Sequence, residues 1–260
     1  MNIRLDGRRA LVTGANSGIG QAIALAFADA GADVAVNWVT HPEAADAVVA
    51  QLVAKGRRAI ALRADVSSEA DVDAMFQALD AQWGGLDVLV NCAGIDGVRA
   101  LAQDAKMADW RRVLEVNLFG AFDCARQALA RLVPQGRGTI LNISSVHEVI
   151  PWAGYSAYCA SKAGLSMMTK TLAQEAAPHG VRVLALGPGA VQTPINQAVW
   201  SDPASSADLL GKIPLGRLGR TDEIAAMAVV LCSDAASYVT GSTVMVDGAM
   251  TAYPEFAHGG

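Results

Sequence analysis

The chain has 260 residues, 52% hydrophobic and 17% charged, with a formal net charge of -5. That balance suits a well-buried enzyme, excludes an intrinsically disordered chain, and leaves no basic footprint for nucleic acid or an anionic membrane. The four cysteines, Cys92, Cys124, Cys159 and Cys232, show neither CxxC nor metal-ligand spacing, so no metal site is expected.

The opening MNIRLDGRR is short and polar, and Asp29 and Asp33 interrupt the richest apolar stretch. With no run of about 20 apolar residues, a reducing cytoplasm is the expected compartment. Short Val/Ile/Leu runs then alternate with segments of helical period, the sign of repeated βαβ units and a parallel sheet covered on both faces. Strands are expected at Ala10–Thr13, Val34–Trp38, Ala59–Arg63, Val88–Asn91, Thr139–Ile143, Val181–Leu186 and Thr243–Val246. Helices are expected at about 18–30, 42–55, 69–82, 107–133, 158–177 and 221–233. The fold class is therefore α/β: a Rossmann-type doubly wound parallel sheet of about seven strands in a single domain, 1–260. The segment 189–220, with Pro194, Pro203 and Pro214, reads either as a substrate lid or as a surface excursion.

The first strand runs into Thr13-Gly14-Ala15-Asn16-Ser17-Gly18-Ile19-Gly20. Glycines permit a tight turn and close backbone approach, and the following helix offers unpaired N–H groups to a phosphate. The spacing is GxxxGxG rather than GxGxxG, and its place between a strand and an amphipathic helix marks a dinucleotide site. An acid near the end of the second strand would hydrogen-bond the ribose of NAD, and an Arg would accept the phosphate of NADP. The sequence has neither. Asn37 has the chemistry to bond the ribose hydroxyls, and Thr40 or His41 to reach a phosphate, so NAD and NADP both stand.

Tyr158 and Lys162, four residues apart, share one helix face. A fixed ammonium about 4 Å from the phenol, worth roughly 4 kcal/mol at an effective dielectric of 20, would bring a tyrosine to working pH as a general base. Tyr155 has Cys159 four residues on and lacks this activation. Ser144-Ser145 ends the fifth strand, at the sheet edge where ligands of open α/β sheets bind. There Ser145 would hold the substrate oxygen.

With TGANSGIG, YCASK and NCAG (Asn91 to Gly94) in place, the chain resembles the short-chain dehydrogenase/reductase family over essentially its whole length. Cys92 departs from that family's NNAG. The resemblance implies catalysis by Asn117, Ser145, Tyr158 and Lys162, with Asn117 holding a proton-relay water. It implies cofactor contacts from Asn91, Ala93, Gly94, Asp65 and Val66, and from Pro188, Gly189, Val191 and Thr193 at the nicotinamide end. It also implies a homotetramer. SSVHEVIPW, GPGAVQTPIN and TAYPEFAHGG are similar to stretches of the bacterial glucose 1-dehydrogenases, implying oxidation of β-D-glucose to gluconolactone. Asp96, His147, Asn196, Asp202 and Tyr253 would then touch the sugar, and each also has a plainer reading as a cap, turn or core residue. The loop Ile95 to Ala100 departs from those enzymes, leaving a reductase for another sugar, alcohol or 3-oxoacyl substrate as the alternative. A dinucleotide sensor without turnover would be free to lose Tyr158 or Lys162, yet both are present.

Overall fold

The computed structural model describes residues 3–194 and 200–252. Alternation along each strand sends apolar side chains to both faces of the sheet. In β1 (Arg9–Val12), Ala10 and Val12 join one core cluster with Ile23, Phe27, Val34 and Val36, while Leu11 joins another with Phe76, Leu79, Leu89 and Ile140. A strand buried on both sides has no polar face to show, hence its continuous apolar run. β2 (Asp33–Trp38), β3 (Ala59–Arg63), β4 (Val88–Asn91), β5 (Gly138–Ile143), β6 (Val181–Pro188) and β7 (Thr243–Val246) complete one parallel sheet. Its order is β3-β2-β1-β4-β5-β6-β7. The chain winds outward from β1 to β3, then returns to β4 and winds the other way. The β1/β4 junction is thus a switch point, where a crevice opens beyond the strand ends.

Helices α1 (Gly18–Asp29), α2 (Pro42–Ala54), α3 (Glu69–Trp83), α4 (Met107–Leu114), α5 (Ala121–Gln135), α6 (Ser156–Ala176), α7 (Pro203–Leu210) and α8 (Thr221–Cys232) flank the sheet. Two sequence expectations change. The single helix at 107–133 is instead α4, a π-helical turn over Glu115–Gly120, and α5. At the end of that turn the chain comes in close to the segment after β3, where a Cβ on Gly120 would stand 2.7 Å from the Val66 carbonyl oxygen. The 189–220 segment is not wholly irregular, since Asp202 caps α7 within it. Among the described residues no helix is long and apolar enough to cross a membrane.

At the opposite end of the sheet from the crevice, Asp87 fastens the entry to β4. Arg9 donates to its Oδ2 from Nε at 2.8 Å and from the backbone N–H at 3.0 Å, and the carboxylate is 2% exposed. Burial pushes the Asp87 carboxyl up, but hydrogen bonds from Arg9 and the charges of Arg9 and Arg137 outweigh it, leaving a value below the ordinary one. A depressed carboxyl stabilises the fold above its unfolded value, near pH 4, and that contribution fades as pH falls through the folded value. Asp87→Asn should therefore cost about 2 kcal/mol at pH 7 and progressively less below about pH 4. Urea melts at the two pH values check both.

Candidate active site

The crevice is a cleft of about 1620 Å³ along the carboxyl ends of the strands. Its volume exceeds the roughly 300–1,000 Å³ of an ordinary small-molecule pocket and leaves room for a dinucleotide with a second ligand. The Thr13 hydroxyl accepts from Cys92 N at 2.9 Å and Ala93 N at 3.0 Å, tying the turn after β1 to the exit of β4. Gly14 (φ 62°) and Gly18 (φ 54°) take left-handed conformations. A Cβ on Gly20 would fall 2.3 Å from the Gly14 carbonyl oxygen. Ser17 caps α1 without a side-chain bond, and no acidic residue stands in the first helical turn. The positive end of the helix therefore faces the cleft uncompensated, a seat for a phosphate. The open glycine turn, the helix end and the cleft fit a dinucleotide.

Two of the expected cofactor residues, Asn37 and Asn91, hold the protein's own backbone. Asn37 is 2% exposed. Its Oδ1 accepts from Gly14 N at 3.2 Å, and its Nδ2 donates to the carbonyls of Leu62 and Ala64 at 3.2 and 3.0 Å. Both ends of the amide brace the turn, and the residue also lines the cleft. Asn91 does not line the cleft: its Nδ2 donates to Ala121 O at 3.0 Å and Asn142 Oδ1 at 2.9 Å. The remaining lining at this end includes Asn16, Ser17, Ile19, Asp65, Val66, Ala93, Gly94, Pro188, Gly189, Val191 and Thr193. Asn16 donates to Thr40 O at 2.8 Å. Asp65 accepts from Ser67 and, at 2.9 Å, from Arg112. Burial pushes the Asp65 carboxyl up, yet those bonds and the Arg112 charge bring it below its ordinary value.

Ser145, Tyr158 and Lys162 meet in the middle of the cleft. Lys162, on α6, is 7% exposed and donates from Nζ to the Ile143 carbonyl at 2.8 Å. Burial lowers its ammonium to about 8, against the pull of nearby Asp96 and Glu148. Its Nζ lies 5.6 Å from the centre of the Tyr158 ring. Burial pushes the phenol above its ordinary value, with a hydrogen bond from Ser145 pulling the other way. Asn117, on the π-helical turn and 1% exposed, does not line the cleft. Its Oδ1 accepts from Ile95 N at 2.8 Å, while its Nδ2 donates to Ile95 O at 2.8 Å and Ser161 Oγ at 3.1 Å. Its side chain therefore holds the loop after β4.

The substrate end holds Asp96 and His147. His147 Nδ1 lies 3.0 Å from the Ile150 carbonyl, which can only accept, so Nδ1 carries the proton and Nε2 is an acceptor. The imidazole stacks on Trp152 (4.6 Å, 12°), which stacks on Tyr155 (3.8 Å) and meets Tyr158 edge-on. Burial lowers His147 and raises Asp96. Asp202 is a correction: it accepts from Ser205 N at 2.8 Å as the cap of α7, away from the cleft lining. Asn196 and Tyr253 lie outside the described residues. Trp152, Glu148 and Thr13 escaped sequence reasoning. The first two stood in SSVHEVIPW, and nothing in their composition told contact from packing.

Asn37→Ala should lower stability by about 2–3 kcal/mol, because it strands the Gly14 N–H and two carbonyls. It should weaken both nucleotides together without changing their ratio. Thermal melts with fluorescence titrations of NADH and NADPH check this.

A family described as "Enoyl-(Acyl carrier protein) reductase" matches residues 14–251. The chain is 44% identical over 256 residues to 3beta-hydroxysteroid dehydrogenase 1 of Eggerthella lenta, covering 98% of each. It is 41% identical to Glucose 1-dehydrogenase 2 of Bacillus subtilis, covering 96% of this chain and 97% of that one. A crystal structure of a gluconate 5-dehydrogenase from Burkholderia cenocepacia, in complex with NADP and tartrate, superposes with a TM-score of 0.92. The identity there is 35%, over 96% of this chain and 98% of that one. With the glycine turn, the switch-point cleft and the Ser145–Tyr158–Lys162 cluster, these relationships place the chain in the short-chain dehydrogenase/reductase family, as an NAD(P)-dependent dehydrogenase acting on hydroxyl groups.

Proposed function

We propose that the protein oxidises a ring hydroxyl of an uncharged sugar, with β-D-glucose converted to gluconolactone as the reaction. The carrying observation is Asp96. Its desolvated carboxyl faces Lys162 and His147 across the substrate end, without a hydrogen bond to any described residue. A substrate without hydroxyls there would leave Asp96 and the Nε2 of His147 unpaired, at about 1–3 kcal/mol each. A polyol satisfies both.

A bound nicotinamide nucleotide supplies the acceptor for the hydride leaving the substrate carbon. Tyr158 takes the hydroxyl proton, Ser145 holds the same oxygen, and Lys162 holds positive charge beside them. Asn117 keeps the Ile95–Asp96 loop in register with α6. At the nucleotide's ribose end, Val39 and Thr40 carry neither the acid that favours NAD nor the Arg that favours NADP, which supports use of both. The 189–220 segment acts as the lid of a single domain, supported by Leu209, Lys212, Ile213 and Pro214 in the cleft lining. The enzyme works in the cytoplasm as a homotetramer, which would cover the exposed Phe119, Phe122 and Met167.

A second reading has its own observation. Val149, Ile150, Trp152, Ile213 and Met250 form a broad apolar wall that suits a hydroxysteroid-like alcohol. Nicotinamide reduction measured with β-D-glucose and with a 3β-hydroxysteroid, each with NAD and NADP, decides between the two. Asp96→Ala should cut kcat/KM about 10²-fold on a sugar. Unchanged or improved turnover of the apolar alcohol would favour the second reading. Tyr158→Phe should lose roughly 10²–10⁴ in kcat on either substrate while nucleotide binding persists.

A further inference from the structure

Glu148 takes no part in the mechanism above, and its company is unusual for a carboxylate. It closes the 3-10 turn Val146–Glu148, directly after Ser144 and Ser145. Its three partners are neutral hydroxyls, each from a different element. Ser144, at the exit of β5, donates to Oε2 at 2.5 Å, and Thr243, the first residue of β7, donates to the same oxygen at 3.2 Å. Ser166, one turn beyond Lys162 on α6, donates to Oε1 at 3.0 Å. Ser144 and Ser166 are buried, at 3% and 7% exposure. A carboxylate bound by a guanidinium has its charge cancelled on the spot, whereas hydroxyl donors satisfy its lone pairs and leave the charge to act further off.

That charge acts on Lys162. The groups facing the ammonium come from four elements. Cys92 is at the exit of β4, Asp96 on the loop beyond it, Glu148 after β5, and the Tyr158 ring on α6 itself. Burial pushes the Cys92 thiol up to about 12, so it is uncharged near neutral pH. Burial also raises Asp96, which makes no hydrogen bond to a described residue. Glu148 is the carboxylate among them that three hydroxyls hold in place.

We propose that Glu148 is a positioning residue of the reaction: it clamps the strand end bearing Ser145 to the helix bearing Tyr158 and Lys162, and it keeps Lys162 an ammonium. This rests on the roles given to Tyr158 and Lys162 above, and the experiment separates the two claims.

The chain has only five lysines, so the titration of Lys162 can be followed by NMR of the lysine-labelled protein and assigned with Lys162→Met. The wild-type midpoint should lie near 8. Glu148→Gln keeps the shape and one acceptor oxygen but removes the charge, and a hydroxyl facing its amide nitrogen must turn to accept. It should lower the midpoint by about one pH unit and move the alkaline limb of the kcat profile down with it. Glu148→Asp restores the charge with a shorter reach. It should return the midpoint to its wild-type place while kcat stays about tenfold down, since geometry alone is lost. A Glu148→Gln protein that melts earlier but keeps both midpoint and limb has lost only a structural tie, and the proposal falls. Should that variant fail to fold, Ser166→Ala with Thr243→Val loosens the clamp and spares the charge. A severalfold fall in kcat at an unmoved midpoint supports the clamp, and unchanged kcat overturns it. Turnover that survives Tyr158→Phe would overturn the reading of the site itself, whatever Lys162 does in the titration.

Discussion

The site depends on a lysine placed where water scarcely reaches. The Lys162 ammonium is 7% exposed, and its one hydrogen bond to a described residue is to the Ile143 carbonyl, at the last residue of β5. Burying an ammonium is expensive unless it is paired and hydrogen-bonded, and the fall to about 8 records that expense. The surroundings answer it in two ways. A strand-end carbonyl is already oriented, since the parallel ladder holds β5 between β4 and β6. Carboxylates at Asp96 and Glu148 add negative potential without touching the cation. Moving β5 by one residue would remove the carbonyl and carry Ser145 off the site as well.

The same economy explains the packing around the cleft. Ligands bind beyond the strand ends, so every loop there has to pass close to another. Gly120 lets the π-helical turn approach Val66, and on Gly189 a Cβ would come within 2.7 Å of the Asp247 Cα. These approaches bring Asn117 to the Ile95 backbone and set the loop that carries Asp96. Polar side chains hold the loops. Thr13, Asn37, Asn91 and Asn117 all bond to backbone, and Asn142 continues the chain from Asn91 to Thr169 on α6. A cleft built this way keeps its shape before any ligand arrives.

That use of polar side chains marks how far the sequence could be read. The seven strands were legible because double-sided burial leaves continuous apolar runs, and the glycine turn because only a strand and helix on either side give it meaning. YxxxK placed Tyr158 and Lys162 on one helix face. It could not reveal that the lysine bends back to β5, because side-chain direction answers to what lies across the core. Asp202 looked like a ligand contact for the same reason. An amide or carboxylate near a loop reads alike whether it faces a ligand or caps a helix. The π-helical turn left only Gly120 as a trace, within a stretch whose period is otherwise helical.

At the substrate end, burial moves the two facing groups in opposite senses, Asp96 upward and His147 downward, and both shifts favour the uncharged form. An imidazole fixed on Trp152 with its Nε2 free to accept, beside a carboxyl without a hydrogen bond to a described residue, makes a pair suited to neutral hydroxyls. An anionic substrate would need a cation of its own. Lys212 is in the lining but sits 2.6 Å from Asp208, and Arg112 is held by Asp65 on the nucleotide side. The gluconate enzyme of Burkholderia cenocepacia was crystallised with tartrate, a dicarboxylate. Here the balance of charge supports a neutral ring rather than a sugar acid. The apolar wall of Val149, Ile150 and Trp152 would then lie against the ring's carbon face while Asp96 and His147 meet its hydroxyl edge.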